Sequence, residues 1–257
     1  KALTKPEVSF MAIVKANAYG HGAVHVAKSA AQAGANWLGV ALPEEGAELR
    51  ENGIKLPILV LGEISPEQCS TVLQYDLTQA VPSIETARYL NSEAKAFGKK
   101  AKVHLKLDTG MGRIGFRSLE EIEKAADVLL QMDFLEIEGA FTHFAVADEE
   151  DRSYTTQQIS KLESMLKVLA NKGIKPGLVH ASNSAGLICF PNASYNMVRC
   201  GISMYGYYPS LKSKEEAYPG LLPVLRWETH IAHIKTVETG SSISYGRTYI
   251  AQSTRRV

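Results

Sequence analysis

Several protein classes are excluded by what this chain of 257 residues has little of. Cysteine is scarce. Cys69, Cys189 and Cys200 are odd in number and scattered, so they make neither a disulfide framework nor a paired metal spacing, which fits a reducing cytoplasm. Charge of one sign is also lacking: 28 basic side chains stand against 27 acidic ones, and nothing argues for nucleic acid or a membrane surface as partner. No apolar run is long enough to span a bilayer. No signal-peptide pattern opens the chain, whose first residues read as the middle of a sequence. What remains is an ordinary globular composition, 45% hydrophobic, at a length that suits one to two domains.

Strand-like and helix-like stretches alternate. The strand-like runs are Val8–Val14, Trp37–Ala41, Pro57–Leu61, Thr78–Val81, Lys102–Leu107, Glu136–Thr142, Leu178–Ala181 and Asn196–Arg199. Helical patterns lie between them: His21–Ala33, Pro43–Asn52, Pro66–Tyr75, Ile84–Phe97, Leu119–Met132, Thr155–Asn171 and Ser184–Phe190. Ser65-Pro66 and Ser83 are suitable caps. Short strands joined by crossover helices imply parallel pairing, and eight of them in succession predict an α/β fold of the (β/α)8 TIM-barrel type. An open doubly wound sheet fits the alternation almost as well; the strand number favours the barrel. After about Gly220 the helical period disappears and strands with Glu-Thr-Gly and Ser-Ser turns follow. The expected organisation is a barrel over 1–220 and the beginning of an incomplete β domain over 221–257, so that the chain reads as a fragment of a longer protein.

In such a barrel the chemistry sits at the carboxyl ends of the strands. Those ends carry Lys15, then Lys106 and Asp108, then His143, then Ser182 and Asn183, then Arg199. Lys15 stands out, because burial in an apolar mouth would favour its neutral, nucleophilic form. A snorkelling lysine is the bland alternative for that residue taken alone. "GMGRIG", 110–115, matches a dinucleotide-binding turn, but it follows the fifth strand, holds Arg113, and no helix starts directly after it. His21 and His25 lie four apart on an expected helix without an acidic partner, and His230 and His233, on an expected strand, face opposite ways. No metal site is expected. Met165 and Leu169 read as core.

"AIVKANAYGHG" resembles the cofactor-lysine motif of the alanine racemases, barrel-type (fold type III) pyridoxal-phosphate enzymes. "LKLDTGMGRIG", "FTHF", "HASNSAG", "VRCGISMYG" and "ISYGRTY" resemble segments of the same family in the same order, over essentially the whole chain. The resemblance implies pyridoxal 5′-phosphate as cofactor, bonded to Lys15, and interconversion of L- and D-alanine by a two-base mechanism in which Lys15 and Tyr245 serve opposite faces. It implies Tyr19, Ser184, Gly201 and Ile202 around the cofactor's phosphate, Arg199 on its pyridine nitrogen, His143 beside its ring, and Asn183 and His180 in support. Arg113 would orient the phenolic oxygen and the substrate carboxylate. Many members carry a carbamylated lysine at the position of Lys106. The resemblance further implies a cytoplasmic homodimer with shared active sites, in which Tyr245 reaches the partner's barrel mouth, and a product used in cell-wall peptidoglycan. On that resemblance, the remainder of the β domain and a short segment before the first strand are expected to lie outside this sequence.

Two rival readings stay open. One is a racemase of the same type acting on another small amino acid, such as serine. The other is a non-catalytic pyridoxal-phosphate-binding barrel, against which the segment 226–249 argues, because such proteins have no β domain.

Overall fold

Runs of alternating or fully apolar residues pair side by side, and the last run returns to the first. The computed structural model describes residues 3–217 and 220–257. Its strands β1 (Ser9–Ile13), β2 (Trp37–Val40), β3 (Ile58–Val60), β4 (Thr78–Val81), β5 (Ala101–Lys106), β6 (Leu135–Phe141), β7 (Leu178–His180) and β8 (Met197–Cys200) form a closed barrel in sequence order. Every neighbouring pair is parallel, and Met11 lies opposite Arg199 where β1 meets β8. That closing ladder decides for the barrel against the open sheet.

Side-chain alternation builds two cores. Ala12, Leu38, Val40, Ile58 and Val60 point outward beneath the surrounding helices. Met11, Ile13, Trp37, Leu59 and Met197 form a separate cluster on the inner face. The helices that connect the strands are Ala23–Gln32, Pro43–Glu51, Cys69–Gln74, Ile84–Phe97, Leu119–Leu129, Ser153–Asn171 and Ser184–Cys189, and Leu211–Glu216 follows β8. Ser83 Oγ accepts from the Thr86 N–H and Ser118 Oγ from the Glu121 N–H, each satisfying a donor that a helix start leaves free. Gly98, at φ 66°, ends its helix in the left-handed region that glycine enters without strain.

The departures from expectation are local. The first helix begins at Ala23, so His21 lies outside it and the His21/His25 spacing is not a helical one. Helix and strand ends otherwise shift by a few residues, as β8 does in running to Cys200. Residues Lys1–Val224 make one compact unit and Leu225–Val257 another. The second contains two antiparallel ribbons, β9 (Thr236–Val237) with β12 (Arg255–Arg256) and β10 (Ser242–Ile243) with β11 (Tyr249–Ile250). His230 and His233 lie in no strand, because no described segment of this unit pairs with theirs. Among the described residues no helix is long and apolar enough to cross a membrane, and no group of three His, Cys, Asp or Glu is placed to hold a metal ion.

Leu59 is fully buried in the inner cluster. Leu59→Ala is expected to cost about 2–5 kcal/mol by urea unfolding, the range for a large-to-small change in a close-packed core.

Candidate active site

The chain leaves β1 through a turn of the wrong hand. Lys15–Tyr19 closes one helical turn, yet Ala16, Asn17, Ala18 and Tyr19 have φ of 51°, 52°, 53° and 54°. A left-handed turn costs roughly 1–2 kcal/mol for each L-residue other than glycine. Its neighbours over-determine it. Glu45 Oε1 accepts from the Ala16 N–H at 2.6 Å, and Asn17 Oδ1 from the Ala23 N–H at 2.8 Å. Ala18 N–H donates to the Val14 carbonyl, and the Tyr205 hydroxyl to the Ile13 carbonyl, both at 2.8 Å. Small side chains at 16–18 limit the clash of Cβ with the next carbonyl. The turn presents Lys15, half-buried, and Tyr19, 43% exposed, to one cavity.

That cavity, about 530 Å³, opens at the carboxyl ends of the strands. Lys15, Tyr19, Lys106, Arg113, His143, Asn183, Ser184, Arg199, Gly201 and Ile202 all line it. The barrel thus brings together every expected site residue except Tyr245. Tyr245 belongs to Leu225–Val257, where it begins a short 3-10 turn and is 99% exposed. Glu63 and Asp148 are the acidic residues on the lining.

Arg199 is buried at the bottom. Its Nη1 donates to His180 Nδ1 at 2.8 Å and to the His180 carbonyl at 3.1 Å. Its Nη2 donates to the carbonyls of Thr142 at 2.7 Å and Ala181 at 2.9 Å, and His143 Nδ1 lies 3.3 Å away. The guanidinium carbon also sits 5.3 Å from the centre of the Phe141 ring, on which the His180 ring stacks. Its Nε–H has no hydrogen-bond partner among the described residues and is the donor left for a ligand. Burial and Arg113 push the Arg199 pKa down to about 9, which still leaves it charged at neutral pH.

This fixed cation governs its neighbours. Burial, then Arg199, push the His143 pKa down to about 2, so the imidazole is neutral. Donors flank both of its ring nitrogens: Arg199 Nη2 faces Nδ1 at 3.3 Å and the Asn183 amide nitrogen faces Nε2 at 3.4 Å. Lys106 is 2% exposed, and among the described residues its Nζ has only the Leu107 carbonyl at 3.4 Å and the Phe141 ring at 5.1 Å. Burial and Arg199 push its pKa down to about 7, against a raising contribution from Asp108.

After β7, Asn183 caps the helix Ser184–Cys189 by accepting from the Gly186 N–H at 2.9 Å. Ser184 Oγ accepts from the N–H groups of Gly201 at 3.1 Å and Ser203 at 3.3 Å. A Cβ at Gly201 would come within 3.0 Å of Tyr19 Oη, so a bare backbone is what leaves space there. "GMGRIG" is no dinucleotide turn. Asp108 Oδ1 gathers the N–H groups of Gly110 and Gly112, and the next helix begins only at Leu119. Sequence reasoning missed Glu45, whose carboxylate reaches the turn across 29 residues, and His104, whose ring meets His180 in the barrel interior. His104 was legible in principle, since a period of two counted back from Lys106 lands on it.

Comparison with known proteins agrees with this geometry. Residues 1–209 match the model for the alanine racemase N-terminal domain. An alanine racemase of Symbiobacterium thermophilum is 49% identical over 93% of this chain, which spans 63% of that relative. The solved alanine racemase of Clostridium difficile 630 superposes with a TM-score of 0.93 at 40% identity, covering 100% of this chain and 67% of that structure. A histidine racemase of Leuconostoc mesenteroides superposes with a TM-score of 0.89 at 29% identity, covering 100% of this chain and 68% of that structure.

The Lys106 environment makes stability depend on pH. Its folded pKa of about 7 lies below the ordinary lysine value, so the unfolded chain binds the extra proton between those two values and stability rises with pH through that window. In carbon-dioxide-free buffer, Lys106→Met should exceed the wild type at pH 6 by on the order of 4 kcal/mol, with the advantage fading towards pH 10. Urea midpoints that shift in parallel across this range would contradict the assignment.

Proposed function

The chain belongs to the alanine racemase family, and from that premise we propose that the protein carrying it interconverts L- and D-alanine with pyridoxal 5′-phosphate as cofactor. The carrying observation is the cavity at the carboxyl ends of the strands, where Lys15, Lys106, Arg113 and Arg199 converge with a serine-and-backbone cradle formed after β7 and β8. We read 1–220 as the cofactor-binding barrel, 221–257 as the start of a β domain, and the working protein as a cytoplasmic homodimer whose product serves the bacterial cell wall.

The residues suit the cofactor. Its phosphate is matched by the Ser184 hydroxyl, the Gly201 and Ile202 backbone, and Tyr19, at the place where barrels of this kind hold phosphate. Its ring nitrogen is matched by the Nε–H of Arg199, with His143 and Asn183 beside the ring, and its carbonyl by the Lys15 amine. Its phenolic oxygen and a substrate carboxylate are matched by Arg113. When bound, the cofactor supplies the electron sink that makes the α-proton of an amino acid removable.

The protein's share is to move that proton between two faces. With the cofactor bound, the Lys15 amine would hold the proton on the D-alanine side, and Tyr245 of the partner subunit would serve the L-alanine side. Each positioned base is worth roughly 10²–10⁴ in rate. Arg199 keeps its own proton, so at a bound cofactor it would donate a hydrogen bond to the ring nitrogen without protonating it and would moderate the electron sink. Lys106 suits carbamylation: a neutral amine is the form that adds carbon dioxide, and the resulting anion would face Arg113 and Arg199 in place of a third cation.

A second reading, racemisation of another amino acid, is favoured by the likeness to a histidine racemase. The full-length protein with added cofactor should therefore be offered L-alanine, L-serine and L-histidine. Turnover of L-alanine well above the others is expected; cofactor absorbance without turnover of any would favour a binding protein and defeat the proposal. Lys15→Ala and Tyr245→Phe chains, each inactive alone, should regain part of the activity when mixed, from the one intact shared site. No regain would rule out shared sites. With ¹³C-bicarbonate, the wild type should show a carbamate carbonyl resonance that Lys106→Ala lacks; its absence from the wild type would show a free amine.

A further inference from the structure

Below the mouth, a line of polar side chains runs through the barrel interior. Arg199 Nη1 meets His180 Nδ1 at 2.8 Å, and His180 Nε2 meets His104 Nδ1 at 2.8 Å. His104 Nε2 then faces Glu138 Oε2 at 3.7 Å, an ion–dipole contact; both atoms are buried and neither has a hydrogen-bond partner among the described residues. Burial holds both imidazoles below the ordinary histidine range, and the His104 contact holds the Glu138 carboxyl below the ordinary carboxylate range.

The chemistry of the two ends fixes the middle. Arginine can only donate, an ionised carboxylate can only accept, and a neutral imidazole does one of each. Starting from Arg199, His180 Nδ1 is bare and its proton is on Nε2. His104 Nδ1 is then bare as well, and its proton is on Nε2, directed at the carboxylate. With the opposite polarity, the His180 N–H would stand 2.8 Å from a guanidinium N–H, donor against donor, inside a buried site.

β6 carries two devices that serve this contact. Val103 lies opposite Ile137, but His104 lies opposite Gly139, so Glu138 is the extra residue of a bulge. Strict alternation from Phe141, whose ring stacks on His180, would send Glu138 outward; a bulge re-aims it. At Gly139 an added Cβ would lie 2.7 Å from three atoms of the His104 ring. The strand therefore gives up a side chain to seat one imidazole and breaks its period to bring an anion to it.

We propose that Glu138 is a positioning residue for Arg199: Arg199 sets the polarity of the line from one end, and Glu138, facing the His104 Nε2–H at the other, reinforces through His104 and His180 the tautomer whose bare Nδ1 holds the guanidinium in place. The consequence for a cofactor bound on Arg199 rests on the racemase reading; the tautomer assignment does not. The test is ¹⁵N-histidine NMR of the full-length protein with pyridoxal phosphate added, its His104 and His180 signals assigned by His104→Asn and His180→Asn. The wild type should show Nε2–H on both, by at least about tenfold, the low end of what a hydrogen bond to a charged group is worth. Glu138→Gln, whose amide oxygen still accepts, should keep that pattern, whereas Glu138→Leu, which leaves the Arg199 contact to hold the polarity alone, should keep Nε2–H in the majority on His180 but shrink its excess by about threefold or more. Nδ1–H on His180 in the wild type, or a His180 signal unmoved by Glu138→Leu, would overturn the proposal, and the wild-type arm decides even if the leucine variant does not fold. Failure to bind cofactor or racemise would count against the racemase reading alone.

Discussion

A guanidinium shut inside a barrel must be surrounded by acceptors, and Arg199 is surrounded by carbonyls and imidazole nitrogens rather than by carboxylates. That choice leaves its charge uncompensated by any neighbour in direct contact, and uncompensated buried charge is expensive. The rest of the cavity follows from it. Neutral imidazoles are the only histidines that can stand beside Arg199, and Lys106 loses much of its hold on a proton. The mouth as a whole is biased towards an anion.

Around that charge the scaffold divides the work by periodicity. Outward side chains of the strands pack beneath the helices and secure the cylinder; inward ones are apolar in one cluster and polar where chemistry is needed. The β5–β6 pair brings three polar side chains together, His104 and Lys106 from one strand and Glu138 from the other, beside the Phe141 ring. Its register shift is therefore best understood together with those four side chains.

Strand and helix order was legible because the two periods differ clearly in this chain, and the convergence of Lys15, Lys106, His143, Asn183, Ser184 and Arg199 followed once a barrel was assumed. What was not legible has a common cause in long-range or period-breaking structure. The turn at 16–19 has no local signature beyond small residues, since the Glu45 carboxylate that steadies it comes from another helix. Glu138 escaped because a bulge shifts it off the alternation by which inward residues are recognised. The segment 226–234 carries strand-forming residues, yet strands exist only where a partner is available, and here the described pairings begin at Thr236.

The turn after β1 also has a stereochemical consequence. Its backbone angles are the mirror image of those in an ordinary helix, so they are the angles that D-amino acids prefer. A D-alanine built into the chain at position 16 or 18 would lie in its own favoured region, whereas each natural L-residue there is held against its preference. Tolerance at these positions is therefore set by chirality at Cα more than by polarity or volume. β-Branched residues, stiffest at χ1 and worst placed at positive φ, are the ones such a backbone rejects first.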